Sequence, residues 1–167
     1  MPGRAASRSV DVFVEIPRGS RTKYELDAAS GRIRLDRVLA SSVHYPADYG
    51  FVTETRAGDG DPLDALVVVE EPTFPGCIVP ARPIGTLLMR DAKGPDEKIL
   101  AVPIGDPRFD RVKDLKDLSP HWLREIETFF ATYKTLEGDA AAVKIRGWRG
   151  VRTAWALIER SRKKVQQ

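Results

Sequence analysis

From Val10 to Ile16 apolar and polar residues alternate with period two and stop at Pro17, which predicts a strand with Val10, Val12, Val14 and Ile16 on one face. Lys23–Leu26 and Gly31–Leu35 flank the polar stretch Asp27–Ser30, a hairpin pattern. Tyr24 and Leu26 share one face of its first arm, and Ile33 and Leu35 are expected to point inward on the second. Arg37 falls in phase with them, a costly place for a charge unless it lines a polar cavity or the strand has ended. Ala65–Val69 reads as a buried strand. Pro80–Met89 and Lys98–Val102 form the arms of a second hairpin across the turn-rich Arg90–Glu97.

The period then changes. Ser119-Pro120 supplies a helix cap and a first helical residue, and Trp122, Leu123, Ile126, Phe129, Phe130 and Tyr133 recur at three- and four-residue spacing. Gly138 is the expected stop. Val143–Trp148 reads as a short strand and Val151–Val165 as a terminal amphipathic helix. The pattern predicts an α+β chain, mainly β: a small antiparallel barrel with helices packed on it. Residues 1–9 are expected to be a flexible tail and 10–167 a single domain.

Composition narrows this picture. The 167 residues are 42% hydrophobic and 31% charged, which fits a globular domain with a real core. No apolar run approaches the roughly 18 residues that a membrane span needs, so no membrane partner is expected. The net charge of +3 allows a polyanionic partner, although Arg4, Arg8, Arg160, Arg162, Lys163 and Lys164 place much of the basic excess at the chain ends. The lone Cys77 excludes an internal disulfide and fits a reducing, cytoplasmic setting.

The candidate chemistry centres on Asp59-Gly60-Asp61-Pro62-Leu63-Asp64, three carboxylates on a stiff turn leading into a strand. Such a turn is either a solvated acidic surface or a place where a cation settles among repelling charges. An EF-hand fails, because Leu63 and Asp64 fall where that loop needs a ligand and a glycine. Phosphate-binding glycine loops and a Ser–His–Asp motif are missing from the sequence, and one Cys with the distant His44 and His121 disfavours zinc. Other polar residues at strand ends and turns are the acids Glu15, Glu25, Asp91 and Asp96, the bases Lys23, Arg37, Lys98 and Lys134, and the hydroxyls Tyr45, Tyr49 and Tyr133. Hard oxygen ligands select Mg²⁺ or Mn²⁺. Several such ions ringed by Lys, Arg and Tyr suit a small phosphate anhydride. The alternative is a barrel that binds single-stranded nucleic acid, against which the dense acidic cluster argues.

These residues resemble the soluble family I inorganic pyrophosphatases of the bacterial type. Asp59–Asp64 matches the signature D-G-D-P-x-D, supported by Glu15-Ile16-Pro17, Lys23-Tyr24-Glu25, Asp36-Arg37, Tyr45-Pro46, Tyr49-Gly50, Lys98 and Tyr133-Lys134. The resemblance implies a five-stranded OB-like barrel and Mg²⁺-dependent hydrolysis of pyrophosphate to two orthophosphates, with several ions per site and Mn²⁺ as a substitute. It implies no nucleic-acid partner and a homo-oligomer, a hexamer being favoured. By the same resemblance Glu15, Asp59, Asp64, Asp91 and Asp96 hold metals, and Asp61 or Asp96 takes the proton of the attacking water. Lys23, Arg37, Tyr49, Lys98, Tyr133 and Lys134 bind phosphate, while Glu25 and Tyr45 line the site. One departure is Ala92, where many relatives carry an acid after the residue matching Asp91.

Overall fold

The computed structural model describes residues 8–138 and 143–167. The strands are β1 (Val10–Ile16), β2 (Thr22–Asp27), β3 (Arg32–Val38), β4 (Asp48–Val52), β5 (Asp64–Val67), β6 (Ile78–Asp91), β7 (Gly94–Pro103) and β8 (Lys144–Gly150), with helices α1 (Pro120–Thr132) and α2 (Val151–Val165). Strands β1, β4, β5, β7 and β6 pair in that order, and a β1–β6 pairing closes the ring. That is the five-stranded OB-like barrel the family resemblance implied. The expectation of an antiparallel barrel is corrected at one pairing: β5–β7 is parallel, because β6 reverses the chain between them, while the others in the ring are antiparallel. β8 adds to β6 outside the ring, and β2–β3 forms a separate two-stranded sheet.

Alternation along the strands divides the core in two. Leu66, Leu87, Leu100 and Val102 pack with Ile126, Phe129 and Phe130 of α1. Their neighbours in sequence, Ala65, Val67, Ile99 and Ala101, pack with Ala154, Leu157 and Ile158 of α2 and with Val12 and Val14 of β1. The polar site therefore lies on the α1 side, where Asp64, Asp96 and Lys98 fall in phase with Leu66 and Leu100. Gly50 lets β4 approach β1: a Cβ there would stand 1.8 Å from the Phe13 carbonyl oxygen.

Several sequence expectations change in detail. Leu35 does not point inward but is 59% exposed. A register shift between Lys23 and Tyr24 pairs Lys23 with Arg37 and Tyr24 with Leu35, and the hairpin stands outside the main sheet, so alternation on β3 does not report a core face. Ser119 precedes α1, but its side chain makes no capping bond; Pro120 alone marks the start. The helix stops at Thr132, and Gly138, with φ of 89°, closes a further 3-10 turn at Thr135–Glu137. Arg8 packs 4.1 Å above the Trp155 ring and pairs with Glu159. The remainder of the expected tail, residues 1–7, lies outside the described residues. Among the described residues no helix is long and apolar enough to cross a membrane.

Candidate active site

The acidic loop is fixed by its own backbone. The Asp61 N–H donates to Asp59 Oδ1 at 3.0 Å, and the Ala57 N–H donates to the Asp61 carbonyl at 2.7 Å. Gly60 has φ of 90°, a conformation that favours glycine. Buried Leu63 anchors the loop's end, its N–H donating to Thr55 Oγ1 at 3.0 Å. Asp64 then opens β5 half-buried, while Asp59 and Asp61 stay exposed.

Three more devices aim side chains at the same place. The register shift between Val14 and Ile16 sits at Glu15, whose Oε2 accepts the Leu26 N–H at 2.8 Å. The second hairpin brings Asp91 near its tip and Asp96 and Lys98 two residues apart on one face of β7. The end of α1 delivers Tyr133, with Lys134 following.

These elements surround a cavity of about 410 Å³. Every site residue expected from sequence lines it except Asp59. Asp59 faces an adjoining cavity of about 380 Å³, whose wall also includes Asp64 and Asp96. Those two carboxylates therefore belong to both spaces. Arg37, the charge in phase with a core face, is half-buried because it lines the cavity.

Lys98 is the electrostatic centre. Its ammonium, 3% exposed as a residue, donates to Tyr49 Oη at 2.9 Å, Asp64 Oδ2 at 3.0 Å and Asp96 Oδ1 at 3.2 Å. The Tyr49 and Phe130 rings lie 5.1 and 4.9 Å from it. Burial works against this charge, but Tyr49, Asp64 and Asp96 outweigh it and hold its pKa well above the ordinary lysine value. Burial raises the Tyr49 and Tyr45 hydroxyls, so both stay protonated donors at neutral pH. Burial also pushes Glu15 up to about 6, against the Leu26 N–H bond and aided by the nearby Asp64 charge. Asp96 is raised first by burial, with Lys98 opposing.

The donor set fits a hard divalent cation. Among the described residues no three acids or histidines form a ready-made metal cage. The carboxylates instead stand around an open space, which suits an ion held by one or two carboxylates, water and substrate oxygens. Lys98 shows that a cation settles between Asp64 and Asp96.

Three residues that sequence reading did not place in the site stand at it, two behind its basic side chains and one on its wall. Asp36 Oδ2 accepts from Lys23 Nζ and Arg37 Nη1, both at 2.8 Å. Glu137 pairs with Arg37 from the turn after α1, and Lys93 lines both cavities. Asp36 stands beside Arg37 in sequence, a usable signal; nothing in the sequence marks Glu137.

The sequence model of the family described as inorganic pyrophosphatase matches residues 12–166. The chain belongs to the inorganic pyrophosphatase family. It is 50% identical over 161 residues to an inorganic pyrophosphatase of Nostoc sp., covering 96% of this chain and 94% of the relative. A Streptomyces coelicolor inorganic pyrophosphatase is 51% identical over 156 residues, covering 93% and 95%. Among solved structures, the Thermus thermophilus inorganic pyrophosphatase superposes with a TM-score of 0.93 at 42% identity, covering 100% of this chain and 97% of that one. The Helicobacter pylori enzyme gives 0.92 at 42% identity, covering 100% and 99%. Membership of the family implies an enzyme that requires a divalent metal. It also displaces the nucleic-acid alternative.

Proposed function

We propose that the cavity hydrolyses inorganic pyrophosphate to two orthophosphates with Mg²⁺ as the activating ion and Mn²⁺ as a substitute. The observation that carries this is a single space lined both by carboxylates and by Lys23, Arg37, Lys98, Lys134 and tyrosine hydroxyls. Glu15, Asp59, Asp64, Asp91 and Asp96 would hold the ions, which neutralise the substrate and lower the pKa of water.

The chain's own groups do the rest. Arg37, Lys23, Lys134 and the Tyr49 and Tyr133 hydroxyls bind phosphate oxygens and fix the anhydride's direction. The oxygen of water bonds to one phosphorus as the bridging P–O bond breaks, and the bridging oxygen leaves with the second phosphate. Asp61 accepts the proton. Its exposed carboxylate receives no hydrogen bond among the described residues, whereas Asp96 is held by Lys98. That difference favours Asp61 as the base. Lys98 offsets charge at Asp64 and Asp96 and supports Tyr49. Glu25 and Tyr45 shape the wall.

The proposal extends to a homo-oligomer, a hexamer by family resemblance, for which exposed Phe74 and Ile78 supply apolar surface. It places the enzyme in the cytoplasm, where the free Cys77 stays reduced. Phosphate release from pyrophosphate with and without Mg²⁺ tests the central reaction. Release only with the ion supports it, and no release in either case rejects it.

A further inference from the structure

Arg37 holds its guanidinium between two carboxylates. Its Nε and Nη2 donate to Glu137 Oε1 and Oε2 at 2.9 and 3.0 Å, a two-point fork. Its Nη1 donates to Asp36 Oδ2, which also accepts Lys23 Nζ. These bonds commit three of the five N–H groups of an arginine and leave the others for a ligand.

The fork joins the β2–β3 hairpin to the turn that follows α1. β2 and β3, which carry Lys23 and Arg37, belong to a sheet of their own. Tyr24 packs against the core, and among the described residues two hydrogen-bonded links that involve side chains run from these strands to more distant parts of the fold: the Leu26 N–H to Glu15, and Arg37 to Glu137. Glu137 stands in the 3-10 turn immediately after Tyr133 and Lys134. It therefore connects the hairpin's phosphate-binding cations to those at the end of α1.

We propose that Glu137 is a positioning residue for pyrophosphate: it latches the β2–β3 hairpin to the end of α1 so that Lys23 and Arg37 face Tyr133 and Lys134 at a fixed spacing. The inference rests on the pyrophosphate reading above. Two oxygens on the Nε–Nη2 edge fix both the direction and the rotation of the guanidinium, which one contact could not do. Removing the latch lets the hairpin cations sample other positions, a cost paid when substrate binds. A carboxylate that merely filled the phosphate's place would have the opposite effect, because its removal would tighten binding.

The test is initial-rate kinetics with Mg²⁺ and varied pyrophosphate for the wild type, Glu137→Gln, Arg37→Lys and the double variant. Glutamine keeps the size of glutamate but turns one acceptor into a donor that faces the guanidinium. KM should rise about tenfold in Glu137→Gln, with kcat within about twofold of wild type. Lysine cannot form the fork, so in the Arg37→Lys background Glu137→Gln should add less than about twofold to KM. An unchanged or lower KM, or the full effect in both backgrounds, overturns the proposal. Equal melting temperatures for wild type and Glu137→Gln are also expected, and a KM change that only tracks lost stability overturns it. A wild type that releases no phosphate removes the pyrophosphate reading and the latch together. An active wild type with a flat Glu137→Gln response removes the latch alone.

Discussion

Asp64 and Lys98 stand side by side where β5 and β7 run parallel, one residue before the Ala65–Ile99 pair, with Asp64 Oδ2 3.0 Å from Lys98 Nζ. That pairing brings the last carboxylate of the acidic loop onto the same face as the second hairpin's Asp96 and Lys98. The parallel step in the ring thus joins two segments more than thirty positions apart into one charged wall.

Lys98→Met should destabilise the metal-free protein, because it leaves Asp64 and Asp96 facing each other without the ammonium. Asp64 is 35% exposed, so solvent screens part of the effect. The expected loss is about 2 kcal/mol, read by urea unfolding with chelator present. A stability equal to wild type would show that Lys98 does not compensate these acids.

Glu15 predicts a pH dependence. Its folded pKa of about 6 lies above its ordinary 4.5, so the acid form is favoured in the fold. Below about pH 4.5 the group is protonated in both states and no penalty exists. Stability is lost as pH rises through 6, reaching a cost of up to about 2 kcal/mol. Glu15→Gln should therefore match wild type at pH 4 and exceed it at pH 7.5 in metal-free urea unfolding. A difference that is constant with pH contradicts the assignment.

Ala92 is exposed at the tip of the second hairpin, beside Asp91, whose Oδ1 accepts the Lys93 N–H at 2.8 Å. Ala92→Glu adds a carboxylate next to a proposed metal ligand. Half-maximal Mg²⁺ activation should shift to lower concentration, by about threefold, as one exposed charge contributes under about 1 kcal/mol. Superimposable activation curves would show that the missing acid has no effect on metal binding.

Much of this was legible in the sequence because it follows from short-range rules. Period two marked β1, and the turn chemistry around Asp27–Ser30 marked the first hairpin. The spacing of Ile126, Phe129 and Phe130 marked the buried face of α1. Asp61, Asp64 and Asp96 were legible as a set because carboxylates crowd turns at strand ends. What could not be read depends on placement in space. The register shift at Lys23–Tyr24 breaks the alternation that made Leu35 look inward. Asp59 turns to the neighbouring cavity because its Oδ1 is held by the Asp61 N–H. Glu137 matters only because the chain returns to Arg37 from the far end of α1.

The role of Asp64, which borders both cavities and touches Lys98, decides the proposed reaction. Its most direct test is the initial rate of phosphate release from pyrophosphate at saturating Mg²⁺ for wild type and Asp64→Ala, with matched unfolding curves to confirm that both are folded. Mg²⁺-dependent release by the wild type is expected, with a rate lower by about 10²–10³ in a folded Asp64→Ala. A folded Asp64→Ala variant that keeps the wild-type rate would contradict that role.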